Sequence, residues 1–164
     1  MNLLDWLNNS SILGLVLETS WIFPIVEIIH IFGMTLIIGG LVVFDVRLLG
    51  LISCKSIPIR SLMYHIAPWL ICGFILSLFS GLTFFASDTT RYWGNTSFQI
   101  KLVLLVLALI NQAVFYFKDY PEAFNWNSDV ATPLSARLSA VISLVLIFGI
   151  LTAGRLIPYV ESTQ

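Results

Sequence analysis

Charge is scarce in this chain of 164 residues. Asp, Glu, Lys and Arg make up 10% of it, hydrophobic residues 58%, and the mean hydropathy is +0.94. A soluble domain typically carries about 25% charged residues, so the composition points to an integral membrane protein. The net charge is −1 and no basic tract is present, which leaves nothing to hold a polyanion and excludes nucleic acid as a partner. Two cysteines, Cys54 and Cys72, form neither CxxC nor zinc-ligand spacing and read as inert thiols. The opening MNLLDWLNNS lacks a basic n-region and carries Asp5, so no cleavable signal peptide is expected. There is no HExxH, no phosphate-binding glycine loop and no nucleophile–base pair. No sizeable extramembrane segment is evident for work on a hydrophilic substrate.

What the chain does have is long apolar runs. A bilayer crossing needs about 20 apolar residues. Four stretches qualify, at about 22–44, 62–85, 98–117 and 136–157. Ser20 is placed to cap the first, Pro24 falls in its opening turns where proline costs least, and Pro158 ends the last. Residues 2–18 mix Leu3, Trp6, Ile12 and Leu15 with Asn8, Asn9 and Ser10, a run too broken to span and suited to a short interfacial helix. Short connections make successive helices antiparallel neighbours. The expected fold is all-α: one transmembrane domain over 1–164, built as a four-transmembrane-helix bundle.

Lys and Arg set the expected orientation. The first and third loops hold Arg47, Lys55, Arg60, Lys118 and Arg137; the remaining ends hold Arg91, Lys101 and Arg155. The excess favours both termini outside, in the periplasm if the membrane is a bacterial inner membrane. The sequon at Asn95-Thr96-Ser97 reads as coincidental.

Ionisable groups in hydrocarbon are costly and usually functional. The stretch EIIHIFG places Glu27 three residues before His30. Steps of three and four from His30 reach Gly33, Ile37, Gly40, Phe44 and Arg47, so the acid, the histidine, two glycines and the arginine share one helix face. That face must turn inward. The glycines either let helices approach closely or leave room for a flat ligand beside His30. At a rise of about 1.5 Å per residue, Glu27 lies roughly 8 Å and His30 roughly 12 Å below one surface, with Lys101 roughly 5 Å below it. Arg155 lies at a similar depth. Glu27, His30, Lys101 and Arg155 are therefore candidates to converge, as a structural ion pair or as a site for an anionic group such as haem propionates or a quinone head group.

His65 opens the second helix, roughly 15 Å from His30 along the membrane normal. It is either an interfacial histidine or part of a second site. One haem iron needs both axial ligands near one level, so the two histidines do not form a bis-histidine site within one chain. At the level of His30 the other helices offer Ser77, Ser80, Thr83 and Thr152. Met34 lies one turn along the same helix. A haem on His30 would be five-coordinate or completed by another subunit. Asp45, Arg47, Arg60, Asn111, Gln112 and Arg137 form a second polar set near the other surface, read mostly as boundary anchors, with Asn111 bridging helices.

The sequence of His30, Gly40, Arg47-Leu-Leu and a later helix opening FQIKLVLLVLALIN resembles the four-helix bacterial membrane proteins grouped around the HemJ-type protoporphyrinogen oxidases and the CopD copper-resistance domain. It is more similar to an uncharacterised bacterial family with a W-x-x-P-x-x-E-x-x-H-x-x-G opening and an R-L-L-G helix end, here Trp21, Pro24, Glu27, His30, Gly33 and Arg47 to Gly50. The first resemblance implies functional roles for His30 and Lys101 and an association with haem b. Two functions stay open. One is a redox subunit that binds haem b or a quinone through His30, Glu27, Gly33, Lys101 and Arg155, with His30 as metal ligand and His65 as a further cofactor contact. The other is a non-redox transporter, proton relay or structural subunit. Expected partners are membrane lipid, a second copy of the chain, or a larger membrane complex.

Overall fold

The computed structural model describes residues 21–51, 58–125 and 132–160. The segment expected to form an interfacial helix, and Ser20, Cys54 and Lys55, lie outside them. Within the described residues there is no strand. Four helices are long and apolar enough to cross a membrane: α1 (Ile22–Leu48), α2 (Ile59–Ser87), α4 (Thr96–Val114) and α5 (Leu134–Leu156). Between the second and third lies a short helix, α3 (Thr89–Gly94). α4 continues into a π-helical turn (Phe115–Asp119) and a 3-10 turn (Tyr120–Asn125). The all-α four-span expectation holds, and the chain is a multi-pass membrane protein.

α1 outruns its expected end by a turn. Asp45 and Arg47 do not stop it, because protein and not lipid surrounds them: Asp45 is 2% exposed and Arg47 is half-buried. The stop is Gly50, at φ 75°. Its N–H donates to the Arg47 carbonyl (3.1 Å) and the Leu51 N–H to the Val46 carbonyl (3.2 Å), a Schellman closure that needs a left-handed residue. α2 starts directly after Pro58, whose fixed φ and missing N–H suit a helix start. Asp88 caps α3 by accepting from the Arg91 N–H, and Asn95 caps α4 by accepting from the Phe98 N–H. Sequence reasoning missed α3, because TTRYWG is too short to show a period.

The helices pack as two antiparallel pairs. α1 and α2 form the longest seam, α4 and α5 the second, and α1 against α5 joins them. Glycine sets the first seam. A Cβ on Gly33 would sit 2.9 Å from the Gly73 carbonyl oxygen, and one on Gly73 would sit 2.7 Å from the Gly33 carbonyl oxygen. The two backbones touch, as small residues permit in membranes. Along their lengths α4 packs extensively against neither α1 nor α2. It meets α2 at one end through the stacked rings of Phe85 and Phe98, 5.7 Å apart. At the other end the chain returns to α2 through the 3-10 turn.

The best-packed core lies at that second end: Phe44, Leu48, Ile59, Phe115, Ala123, Ala136 and Ala140. Phe44 and Phe115 meet edge to face, 5.5 Å apart. The outer surface is apolar, with Phe79 74%, Phe148 73% and Ile28 66% exposed. Such a surface suits lipid and not water. Serines and threonines on the helices return their protons to carbonyls one turn back, as Thr35, Thr83 and Thr152 do.

Candidate functional site

His30 sits eight residues into α1 and faces α2. Its Nδ1 is 2.8 Å from the Ser80 hydroxyl oxygen. Ser80 gives its single proton to the Leu76 carbonyl, 2.6 Å away. A hydroxyl has one proton to give, so in the His30–Ser80 bond Nδ1–H donates and Ser80 accepts. A neutral ring therefore carries its proton on Nδ1 and keeps its lone pair on Nε2. Gly81 lies beside the ring, where a Cβ would be 3.4 Å from Cε1. Phe84 meets the imidazole edge to face at 5.6 Å, and Phe23 packs on Phe84 at 5.3 Å. The imidazole is thus held by one hydrogen bond, one glycine and an aromatic wall.

Lys101 comes from α4, on the other helix pair. Helical side chains lean toward their own N-terminus, and Lys101 leans over Gly154 of α5, its Nζ 3.6 Å from where a Cβ would be. The missing side chain at Gly154 is what lets the lysine stem lie flat. Lys101 is near enough for its charge to act on His30, yet it has no hydrogen-bond or ion-pair partner among the described residues. An imidazole on one helix pair and an ammonium on the other are thus close enough to feel each other's charge, on the side where α4 packs little against α1 and α2.

The remaining candidates fall elsewhere. Glu27 is exposed and pairs with neither Lys101 nor Arg155; the charge it influences is that of Tyr92 on α3. One turn further out than His30, it has left the protein interior. Arg155 is also exposed, its guanidinium 5.8 Å from the Tyr159 ring centre. Gly33 is buried, but α2 fills the space beside it, with the Ser77 Oγ only 2.6 Å from a Cβ placed there. Its role is helix approach, so a macrocycle has no room at that point. His65 is exposed near the opposite end, and its Nδ1–H donates to the Ser61 carbonyl at 2.7 Å. Among the described residues no group of three or more His, Cys, Asp and Glu is placed to hold a metal ion.

No family model, curated protein or solved structure matches the chain.

Sequence reasoning missed Ser80 as the partner that fixes His30, and Gly154 as the bed of Lys101. Ser80 was visible only as one of several hydroxyls at the right depth. Gly154 carried no signal beyond its place one residue before Arg155. The second polar set is more ordered than boundary anchors would be. Asn111 and Ser139 bond reciprocally: the Asn111 amide donates to the Ser139 carbonyl (3.0 Å) and the Ser139 hydroxyl to the Asn111 side-chain oxygen (3.1 Å). One turn along α5, Ser143 accepts from the Gln112 amide at 3.5 Å. Asp119, 5% exposed, accepts from the Ser135 hydroxyl at 2.6 Å.

Proposed function

We propose that this is a redox-type membrane subunit that binds a quinone head group between His30 and Lys101. The observation that carries the reading is the fixed imidazole: a lone pair at Nε2, held in place by Ser80, within range of the Lys101 charge, which has no partner among the described residues. A quinone presents carbonyl oxygens, and its reduced form presents hydroxyls. Lys101 Nζ donates to a carbonyl oxygen, and His30 Nε2 accepts from a hydroxyl. When bound, the quinone supplies the redox chemistry; the chain binds its ring, orients it against Phe84 and holds a proton acceptor beside it. Apolar ligands of this kind arrive from the bilayer, and the stand-off between α4 and the first helix pair gives them a lateral way in.

Haem b fits less well. His30 offers one axial ligand of the correct tautomer, but the seam at Gly33 is closed and the other histidine is at the far end. The reading places the protein in a bacterial inner membrane with both termini periplasmic, which the Lys and Arg distribution favours. Its redox partner is then membrane-borne, a larger complex or a second copy of the chain.

The test is extraction and spectroscopy. Protein purified in mild detergent is extracted with organic solvent, and oxidised-minus-reduced ultraviolet spectra are recorded. Titration of the detergent-solubilised protein with a short-chain quinone follows, read by quenching of tryptophan fluorescence. Saturable binding that His30→Ala and Lys101→Met each weaken by roughly tenfold or more, about 1.4 kcal/mol, supports the reading. Binding unchanged in both variants overturns it. A Soret band in the visible spectrum that His30→Ala removes would assign haem in its place.

A further inference from the structure

The His30–Lys101 site leaves one buried ionisable group unexplained, at the other end of the bundle. Asp45 of α1 is 2% exposed, and its Oδ2 is buried with no hydrogen-bond partner. The polar side chain that acts on the carboxyl from α5 is Ser143, itself 3% exposed. Ser143 accepts from the Gln112 amide of α4. Its own proton is not taken by that bond, while the Asp45 Oδ2 beside this pair has no donor.

A carboxylate is two acceptors, and one of them here faces nothing that can donate. Burying an ion in that state is far more costly than burying a neutral acid. The charged groups on the elements around it do not remedy this. Arg60 of α2, Lys118 of the π-helical turn and Arg137 of α5 are exposed, and Asp119 is an acid already bonded to Ser135. Arg47 is two residues along α1, on another side of the helix. A metal cation would need about six oxygen ligands, whereas the side-chain oxygens of Asp45, Ser143 and Gln112 make fewer, and the surrounding helix carbonyls are committed to their own helices.

We infer that Asp45 is a proton-binding site, a carboxylic acid that keeps its proton at neutral pH within the α1–α5 contact, beside the Gln112–Ser143 pair. This site is independent of the quinone reading. The neutral acid lets α1 and α5 pack at Phe44 and Ala140; loss of the proton leaves an anion in that contact. Proton occupancy and the α1–α5 contact are thereby linked.

Infrared spectra of the full chain in lipid nanodiscs test this. At neutral pH the wild-type minus Asp45→Asn difference should show a protonated-carboxyl stretch in the wild type alone; differencing removes Asp119 and the other acids. A difference that contains only carboxylate bands overturns the inference. If Asp45→Asn does not fold, Ser143→Ala gives a second readout. It removes the hydroxyl beside the carboxyl without changing charge, so the frequency of the same band should change. A carboxyl band that does not move overturns the inference too. Sodium added to the wild type should leave the band in place, and its loss would assign a metal cation to Oδ2.

Discussion

Alanine at Gly73 should separate the first two helices. The perturbation is a single methyl group placed 2.7 Å from the Gly33 carbonyl oxygen and 2.9 Å from the Leu36 Cβ. Ordinary contact begins near 3.4 Å, so the seam must open by about 0.7 Å at this point. Neither neighbour can swing aside, because one is backbone and the other is the first atom of a side chain. Overpacking of this kind costs about 1–3 kcal/mol. Opposing it is the helix preference for alanine over glycine, about 0.5–1 kcal/mol, so the net loss should be about 1–2 kcal/mol. Gly33→Ala strains the same seam from the other side, and the two changes together should cost less than their sum, since one separation relieves both. Gly39→Ala is the control: it is exposed, nothing lies within 4 Å of its Cβ position, and stability should hold or rise slightly. The assay is reversible unfolding of detergent-solubilised protein by increasing dodecyl sulfate, followed by circular dichroism. Equal midpoints for Gly73→Ala and Gly39→Ala would refute the claim that backbone contact sets this seam.

Three further outcomes follow from particular contacts. Ser80→Ala removes the acceptor for His30 Nδ1–H, which should cost about 1–3 kcal/mol in the same unfolding assay and weaken short-chain quinone binding, whereas His65→Ala should leave binding unchanged. Asn95→Ala loses the cap of α4 and both bonds that its amide makes to the carbonyls of Ile157 and Val160. About 1 kcal/mol of stability and the amide-exchange protection of the last turn of α5 should go with it; unchanged exchange there would show that the amide does not tie down this end. Burial raises the pKa of Tyr92 above the usual 10.0, with the Asp88 and Glu27 charges adding to the shift and Arg91 opposing it. A raised folded-state value means stability that is complete below pH 10 and lost as pH rises beyond it. Tyr92→Phe should flatten that alkaline loss, measured as the unfolding midpoint against pH.

The polar stripe of α1 was legible from spacing alone, and most of it lies where the period put it: His30 half-buried, Gly33 and Phe44 buried, Gly40 and Arg47 half-buried. Glu27 is the member that fell out, because a helix period says nothing about where the neighbouring helix ends. The glycines had two readings in the sequence. Packing decides between them, since Gly40 abuts Leu70 and Ile66 just as Gly33 abuts Ser77 and Gly73. Arg155 and Lys101 looked equivalent by depth, yet one lies beside Tyr159 at the surface and the other against Gly154. Depth fixes a level in the bilayer; it does not fix the rotation of a helix about its own axis.

The sequence by itself determined the four spans and the face that α1 turns inward. These follow from hydrophobic length and from the 3.6-residue period, which are properties of single segments. Tertiary structure alone decided which groups meet. The proton on His30 Nδ1 depends on a serine fifty residues away, whose own proton is taken by a carbonyl of α2. The solitude of Asp45 Oδ2 depends on what α5 and α4 bring beside it and on what they leave out. Hydrogen bonds are short and directional, so their partners are settled only once the helices have taken their order, rotation and register.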